Sequence, residues 1–322
     1  MSEPTTCLVI IYNHNYEKNI SVLNRIYSHR FSKIVHIMPF YRGEDPNVIG
    51  VYDNSFQFNG YIAQATEKLY ANGSSRYFFI GDDVCLNPKI NEHNLCEWLK
   101  LDQDDSFIND IRLFKDSDVT SWNYGRLSYV NLASMTQDGS SEGWRFLPSI
   151  EKARNAFKEK GFDWTSGAHD AYYRILKRFV KIGPGCPCNP RFTRKVAFLH
   201  KIFSWLQRNY PEKCLYPAAW GYSDVLVVPR TQLLDFGFMN GIFASLRTFV
   251  EVAIPTSLIL ASKRIKTTQE IGLHSEMGNG TLTERKNMIE RYGGDYEKMI
   301  AGFPEDYIFV HPIKLSQWRN LP

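Results

Sequence analysis

Between Cys7 and Asp83, four short apolar runs alternate with two segments of helical periodicity, and no other feature constrains the fold of this chain as strongly. The runs are CLVIIYN (Cys7–Asn13), KIVHIMPF, NVIGVYD and RYFFI. Each has the length and the β-branched and aromatic content of a buried strand. After the first run, Tyr16, Ile20, Leu23, Ile26 and Tyr27 recur at helical spacing. After the third, Asn59 and Gly60 open a segment whose Tyr61, Ile62, Ala65 and Leu69 share one helical face. A β-α-β-β-α-β order of this kind predicts parallel strands covered by helices, so the expected class is α/β with a mostly parallel sheet flanked by helices.

The rest of the chain is organised differently. From about Trp122 to Cys214 polar loops surround two amphipathic segments, IEKARNAFKEKG and AHDAYYRILKRFVKIG, which predicts a helical and loop insertion. Order returns with SDVLVVP, a strand closed by Pro229, and with an apolar segment from Gly241 to Ala261. That segment is long enough to cross a bilayer, but Arg247 and Glu251 near its middle cost roughly 2.5–3.5 kcal/mol each there, and Pro255 interrupts it. A buried helix is expected instead. The helix LTERKNMIERYGG follows, with Thr281 and Glu284 spaced as a capping box, and then the strand DYIFVHPIK. At 322 residues, 43% of them apolar and 14% aromatic, the chain can bury a sizeable core as one large α/β domain or as two.

Charge and cysteine usage narrow the setting. The run CLVIIY has no basic flank before it and is too short for a signal-peptide core, and the six cysteines form no framework, so a reducing, cytoplasmic setting is expected. Cys186 and Cys188, in GPGCPCNP, read as a tight loop rather than a zinc site. The net charge is only +4, yet residues 171–211 hold nine Lys/Arg and no Asp or Glu. Within them, RKVAFLHKIFSWLQR mixes basic and apolar residues as a helix lying on an anionic membrane does, or as a solvated basic face over a core helix does.

The fourth apolar run ends in Gly81-Asp82-Asp83. Ligands of open α/β sheets bind beyond the carboxyl ends of the strands, where these acids project. Adjacent carboxylates repel, so they need solvent, cations or a metal; hard oxygen donors suit Mg²⁺ or Mn²⁺, which in turn binds phosphates. Alternatively the pair forms a turn, since Asp is a favoured turn residue.

A strand of the type FFIGDDV after an N-terminal βα half resembles the acidic DxD motif of the GT-A glycosyltransferases, with a faint exostosin-like flavour. Asp83 matches the last, metal-binding Asp and Asp82 the middle residue, while Gly81 stands in place of the first acid. The resemblance extends to AAWGYSD with Gly221, FVEVA with Glu251, and FVHPIK with His311 and Lys314, in that order along the chain. It implies a GT-A-like, Rossmann-type fold with residues 1–120 as the nucleotide-sugar-binding half, 121–214 as the insertion, and 215–322 as the acceptor-side half. It further implies Asp83 and His311 as metal ligands and Lys314 at a diphosphate. Tyr12 and Asn13 would then meet a uracil, Asp53 its ring N–H or the ribose unless it caps the turn YDNS, and Gly60 would let the backbone approach the nucleotide.

The implied activity is metal-dependent transfer of a hexosyl or pentosyl group from a UDP-sugar, with Mn²⁺ or Mg²⁺, onto a surface polysaccharide or lipid-linked glycan. The metal neutralises the leaving diphosphate. In the inverting case, slightly favoured, a carboxylate contributes ~10²- to 10⁴-fold as general base. Glu251 is the expected base and Asp224 the runner-up; paired with Arg247 on an exposed helix, Glu251 would instead contribute only ~0.3–0.5 kcal/mol. Among Trp144, Trp164 and Trp220, Trp220 is the expected sugar-stacking ring. For 171–211, contact with an anionic membrane and a solvated basic face stand as equal expectations, and nucleic acid is not expected. Two rival readings stand beside this one: a nucleotidyltransferase using the Gly-Asp-Asp acids, and a non-catalytic nucleotide- or glycan-binding module.

Overall fold

The computed structural model describes residues 5–113, 128, 132, 142–164, 216–278 and 282–322. Its main layer is a seven-stranded sheet of order β10-β6-β9-β4-β1-β2-β3. The strands are β1 (Thr6–Ile11), β2 (Lys33–Pro39), β3 (Val48–Val51), β4 (Arg76–Gly81), β6 (Asp105–Ile108), β9 (Val225–Pro229) and β10 (Arg264–Lys266). Every neighbouring pair is parallel except the two made by β9, which lies antiparallel between β4 and β6. The fold is therefore α/β, Rossmann-like, with a mostly parallel mixed sheet flanked by helices, as the strand–helix order predicts. The four N-terminal strands fall on the four apolar runs.

Helices cover both faces, which is why those runs are apolar throughout rather than alternating. Leu8, Ile10, Phe78 and Ile80 point to one side, where they pack with Leu23, Ile26 and Tyr27 of α1 (Lys18–Tyr27). Cys7, Val9, Tyr77 and Phe79 point to the other, against Tyr61, Ile62 and Leu69 of α2 (Phe58–Ala71). On that side α2 packs against α4 (Arg230–Ser245), while α3 (Ile150–Glu159), capped by Ser149 Oγ on the Lys152 amide at 3.2 Å, packs against α5 (Val250–Ala261).

The apolar segment from Gly241 to Ala261 is buried, but not as one helix. It is split between α4 and α5 by a turn in which Arg247 adopts a left-handed backbone, φ 53°. Pro255 lies inside α5 and has no N–H to give the carbonyl of Glu251, four residues back. The amide of Gly221 donates to that carbonyl instead, at 3.0 Å. A helix interruption thereby becomes a tether for the loop before β9.

A second, three-stranded sheet has the order β11-β12-β5, from β11 (His274–Met277), β12 (Tyr307–His311) and β5 (Cys85–Leu86). Two further short strands, β7 (Arg112–Leu113) and β8 (Ala219–Trp220), pair with each other, and α6 (Leu282–Tyr292) precedes β12. Among the described residues no helix is long and apolar enough to cross a membrane. The basic stretch 171–211, the segment AHDAYYRILKRFVKIG, Cys186, Cys188, Cys214 and the Thr281 capping box lie outside the described residues. Cys7, Cys85 and Cys96 are free thiols.

Candidate functional site

Because β9 runs against its neighbours, its first residues share an edge with the last residues of β1, β4 and β6. Asn13, Asp82, Asp83 and Asp110 follow parallel strands to that edge, and Asp224 enters β9 from it. The Gly81 amide donates to the Asp224 carbonyl at 2.9 Å and the Asp82 amide to the Ile11 carbonyl at 2.8 Å, so three strands hold the acidic turn in place.

The small sheet supplies the rest. β5 begins two residues after Asp83 and pairs antiparallel with β12, Cys85 opposite Val310. One residue beyond that register, His311 comes level with the acidic turn, and the Ile313 amide donates to the Asp83 carbonyl at 2.6 Å. His311 Nε2 lies 3.3 Å from Asp83 Oδ1, and the Lys314 ammonium sits on Asp83 Oδ2. Asp83 is only 5% exposed. Burial opposes its charge, but the neighbouring His311 and Lys314 outweigh that and hold it below the usual carboxylate range. Tyr222 meets the His311 ring edge-on with centroids 5.4 Å apart and stacks on Phe309 at 5.5 Å, which fixes the plane of the imidazole.

The other acids are in the opposite condition. Asp82 is pushed up to about 7 by burial and by the charge of Asp83, with its Oδ1 accepting from the Asn13 amide at 3.2 Å and from Asn13 Nδ2 at 3.3 Å. Burial also raises Asp224, with the charge of Asp83 adding to it and His311 opposing it. Glu251, in the first turn of α5, is pushed up to about 8 by burial and by the nearby charges of Asp224 and Asp110. Asp83 is thus held toward its ionised form while Asp82, Asp224 and Glu251 are pushed toward their protonated forms, a division that assigns different tasks to like groups.

A divalent ion fits two of these atoms. The 3.3 Å between Asp83 Oδ1 and His311 Nε2 is close to the ~3 Å edge spanned by two neighbouring ligands about 2.1 Å from one ion. Asp83 Oδ1 and His311 Nδ1 are both buried without a hydrogen-bond partner. Among the described residues no group of three or more His, Cys, Asp or Glu is arranged to hold a metal. The remaining donors would be phosphate oxygens and water, as is usual for Mg²⁺.

Several sequence expectations are corrected at the rim. Tyr12 is fully buried, in the same cluster as Leu8 and Ile10, and its hydroxyl lies 3.0 Å from His36 Nδ1; its ring is closed to a base. Gly60 is buried inside α2, with Ala244 and Asp53 3.4 Å from where a Cβ would stand, so its backbone is closed to a nucleotide. At Gly221 an added Cβ would fall 2.0 Å from the Asp110 carbonyl oxygen, a backbone-to-backbone approach with no room for a ligand between. Asp53 accepts from the Asn54 amide at 2.8 Å and faces Arg247 at 3.7 Å. The Arg112 guanidinium covers one face of Trp220 at 5.0 Å, whereas Trp164 is buried and Trp144 packs edge-on to Tyr216.

Three features of this edge escape a reading of the sequence. Asp110 accepts from the Tyr222 amide at 2.8 Å and pairs with Arg112 at 3.0 Å. It stands two residues past β6 as Asp83 stands two past β4, so FIND parallels FFIGDD. Tyr222 is the second. The third is an exposed aromatic pair, Phe40 (57% exposed) after β2 and Tyr52 (69%) after β3, with centroids 6.1 Å apart. Phe40 holds a left-handed φ of 54°, and its carbonyl accepts from Asn15 Nδ2 at 3.1 Å. A positive φ at a phenylalanine is uncommon enough to mark the position.

The chain matches no known protein-family model and no curated protein.

Proposed function

We propose that the chain is a metal-dependent glycosyltransferase of the GT-A type, moving a sugar from a UDP-sugar to a hydroxyl of a glycan or lipid-linked acceptor. The observation that carries this reading is the meeting of Asp83, His311 and Lys314 at the carboxyl edge of the sheet, beside the partly buried carboxyl group of Glu251. In this reading the acceptor oxygen bonds to the anomeric carbon from the face opposite the leaving group, which inverts the centre. The bond from that carbon to the diphosphate oxygen breaks, and its electron pair leaves with the diphosphate. Glu251 takes the acceptor's proton. Its acidity, near the working pH, is what an efficient base needs. Lys314 meets the departing charge. Asp83 Oδ1 and His311 Nε2 would hold Mn²⁺ or Mg²⁺, which would supply Lewis-acid neutralisation of the diphosphate. Phe40 and Tyr52, two and three strands from β4 at ~4.8 Å per strand, offer stacking surfaces for the base.

The acceptor class and a peripheral contact of 171–211 with anionic membrane rest on composition alone. The nucleotidyltransferase reading gains no support here: β4 and β5, on either side of the acids, belong to different sheets and form no hairpin.

The test is release of UDP from a panel of UDP-sugars with Mn²⁺, Mg²⁺ or a chelator. Release from at least one donor is expected, dependent on the metal and lost in Asp83→Asn. Binding of UDP without release from any donor overturns the catalytic reading and leaves a binding module.

A further inference from the structure

We propose that Lys314 is the resident counter-ion of Asp83, and that a divalent ion enters the site only together with a diphosphate that draws the Lys314 ammonium away. This inference rests on the glycosyltransferase reading and adds to it an order of assembly. Three observations carry it.

First, the buried carboxylate already has a cation. Lys314 Nζ sits on Asp83 Oδ2, and the Asp83 side chain is 7% exposed against 36% for that of Lys314. A buried carboxylate is stable only when matched by charge and hydrogen bonds, and here Lys314 on Oδ2 supplies the match together with His311 beside Oδ1. A divalent ion arriving alone at Oδ1 would stand beside an ammonium on the same carboxylate. Two positive charges would then face one negative group in a poorly solvated place.

Second, the protein by itself offers a poor metal site. Asp83 Oδ1 and His311 Nε2 form one edge, and among the described residues no third His, Cys, Asp or Glu joins them as a ligand. Asp82 is turned to Asn13, whose amide and Nδ2 both donate to its Oδ1. Ions that prefer six oxygen-rich positions bind such an edge well only when a substrate's phosphates fill the rest.

Third, the exchange needs no backbone movement. The main chain around Lys314 is fixed by the Ile313 amide on the Asp83 carbonyl at 2.6 Å and by the Gln317 amide on the Lys314 carbonyl at 2.8 Å. The flexible four-carbon stem can leave Oδ2 and still reach an anion bound against the same edge. A diphosphate brings both the missing oxygens and the negative charge that makes room for the second cation. Ion and diphosphate therefore favour each other reciprocally.

The experiment is titration of Mn²⁺, followed by electron paramagnetic resonance and calorimetry, into wild type, Lys314→Met and Lys314→Arg, each with and without UDP. Thermal melts establish that each variant is folded. Wild type is expected to bind Mn²⁺ weakly alone and about a hundredfold more tightly with UDP. Lys314→Met is expected to bind Mn²⁺ without UDP about tenfold more tightly than wild type does, with a correspondingly smaller effect of UDP. Lys314→Arg, which keeps the charge, is expected to follow wild type. Mn²⁺ bound by wild type equally tightly with and without UDP overturns the inference even if Lys314→Met fails to fold, and metal-dependent release of UDP from a donor would still stand. An unchanged Mn²⁺ affinity in a folded Lys314→Met also overturns it. Absence of Mn²⁺ binding to every protein in both conditions, with UDP bound, overturns both the inference and the metal site.

Discussion

Replacing Glu251 by Gln is expected to stabilise the protein, and by an amount that grows with pH. The carboxyl group is pushed from an ordinary 4.5 up to about 8 by burial and by the neighbouring charges of Asp224 and Asp110. Below the unfolded value, both folded and unfolded chains hold the proton, and the group contributes no pH dependence. Between about 4.5 and about 8 the unfolded chain releases its proton while the folded chain keeps it, so stability falls as pH rises. Above 8 both are ionised, and the loss levels off with the stability that the raised group contributed fully at low pH now gone. Each pH unit in that window is worth about 1.4 kcal/mol, which sets a ceiling of about 5 kcal/mol. Sharing of the proton with Asp224, itself raised, reduces the expected effect to about 2–4 kcal/mol. Glutamine has nearly the same shape and nothing to ionise.

The assay is urea unfolding of wild type and Glu251→Gln at intervals from pH 4.5 to 9. The difference in unfolding free energy is expected to be small at the acid end and to favour the variant increasingly up to about pH 8. A difference that stays flat over the range would refute the reasoning, because it would mean that Glu251 is well solvated in the folded protein and not poised as a base. The Asp83 and His311 charges are common to both proteins and cancel in the comparison.

Three further outcomes are expected. In wild type kcat/KM for transfer rises with pH toward a limb near 8; Glu251→Gln loses that limb together with transfer but retains UDP binding, as measured by initial rates and calorimetry. Asp83→Asn leaves His311 and Lys314 without their anion and costs about 2–3 kcal/mol by urea unfolding, below the value for a fully buried pair because the Lys314 ammonium reaches solvent. Phe40→Ala and Tyr52→Ala each weaken UDP binding by about 1–3 kcal/mol, the range for base–aromatic stacking, while leaving thermal stability nearly unchanged because both rings are exposed.

The parts of this fold that can be read from the sequence are those in which one segment's own residues carry the information. β1 to β4 are buried on two faces, so each is a continuous apolar run between turn residues, and helical periodicity marks α1 and α2 between them. Glu251 stands out because a carboxylate in an apolar segment needs a reason. Strand direction is a different matter. VLVVP has the composition of any inner strand, and nothing in it says that β9 runs against β4 and β6. Yet that reversal is what carries Asp224 to the edge where Asp83 and Asp110 end. Tyr12 shows the opposite error. Its place after the first strand favours a ligand contact, but period-2 alternation assigns it to the inward face with Leu8 and Ile10, and that local rule prevails.

The contact on which the function depends is the least local of all. Asp83 and Lys314 are 231 positions apart, and no motif in either neighbourhood specifies the other. What joins them is register: two residues of β5 pair with Phe309 and Val310, and the chain leaving β12 must then pass the acidic turn. A one-residue slip in that pairing would turn His311 to the opposite face of the small sheet. Phe309 resists the slip. It stacks against Tyr222, whose amide is held by Asp110 and whose ring also meets His311. The aromatic contact that orients the imidazole therefore also fixes the register that delivers it. Removing the Tyr222 ring should disturb the Asp83–His311 pair before it disturbs the large sheet, a separation that the chemical shifts of His311 and the amides of β4 would report independently.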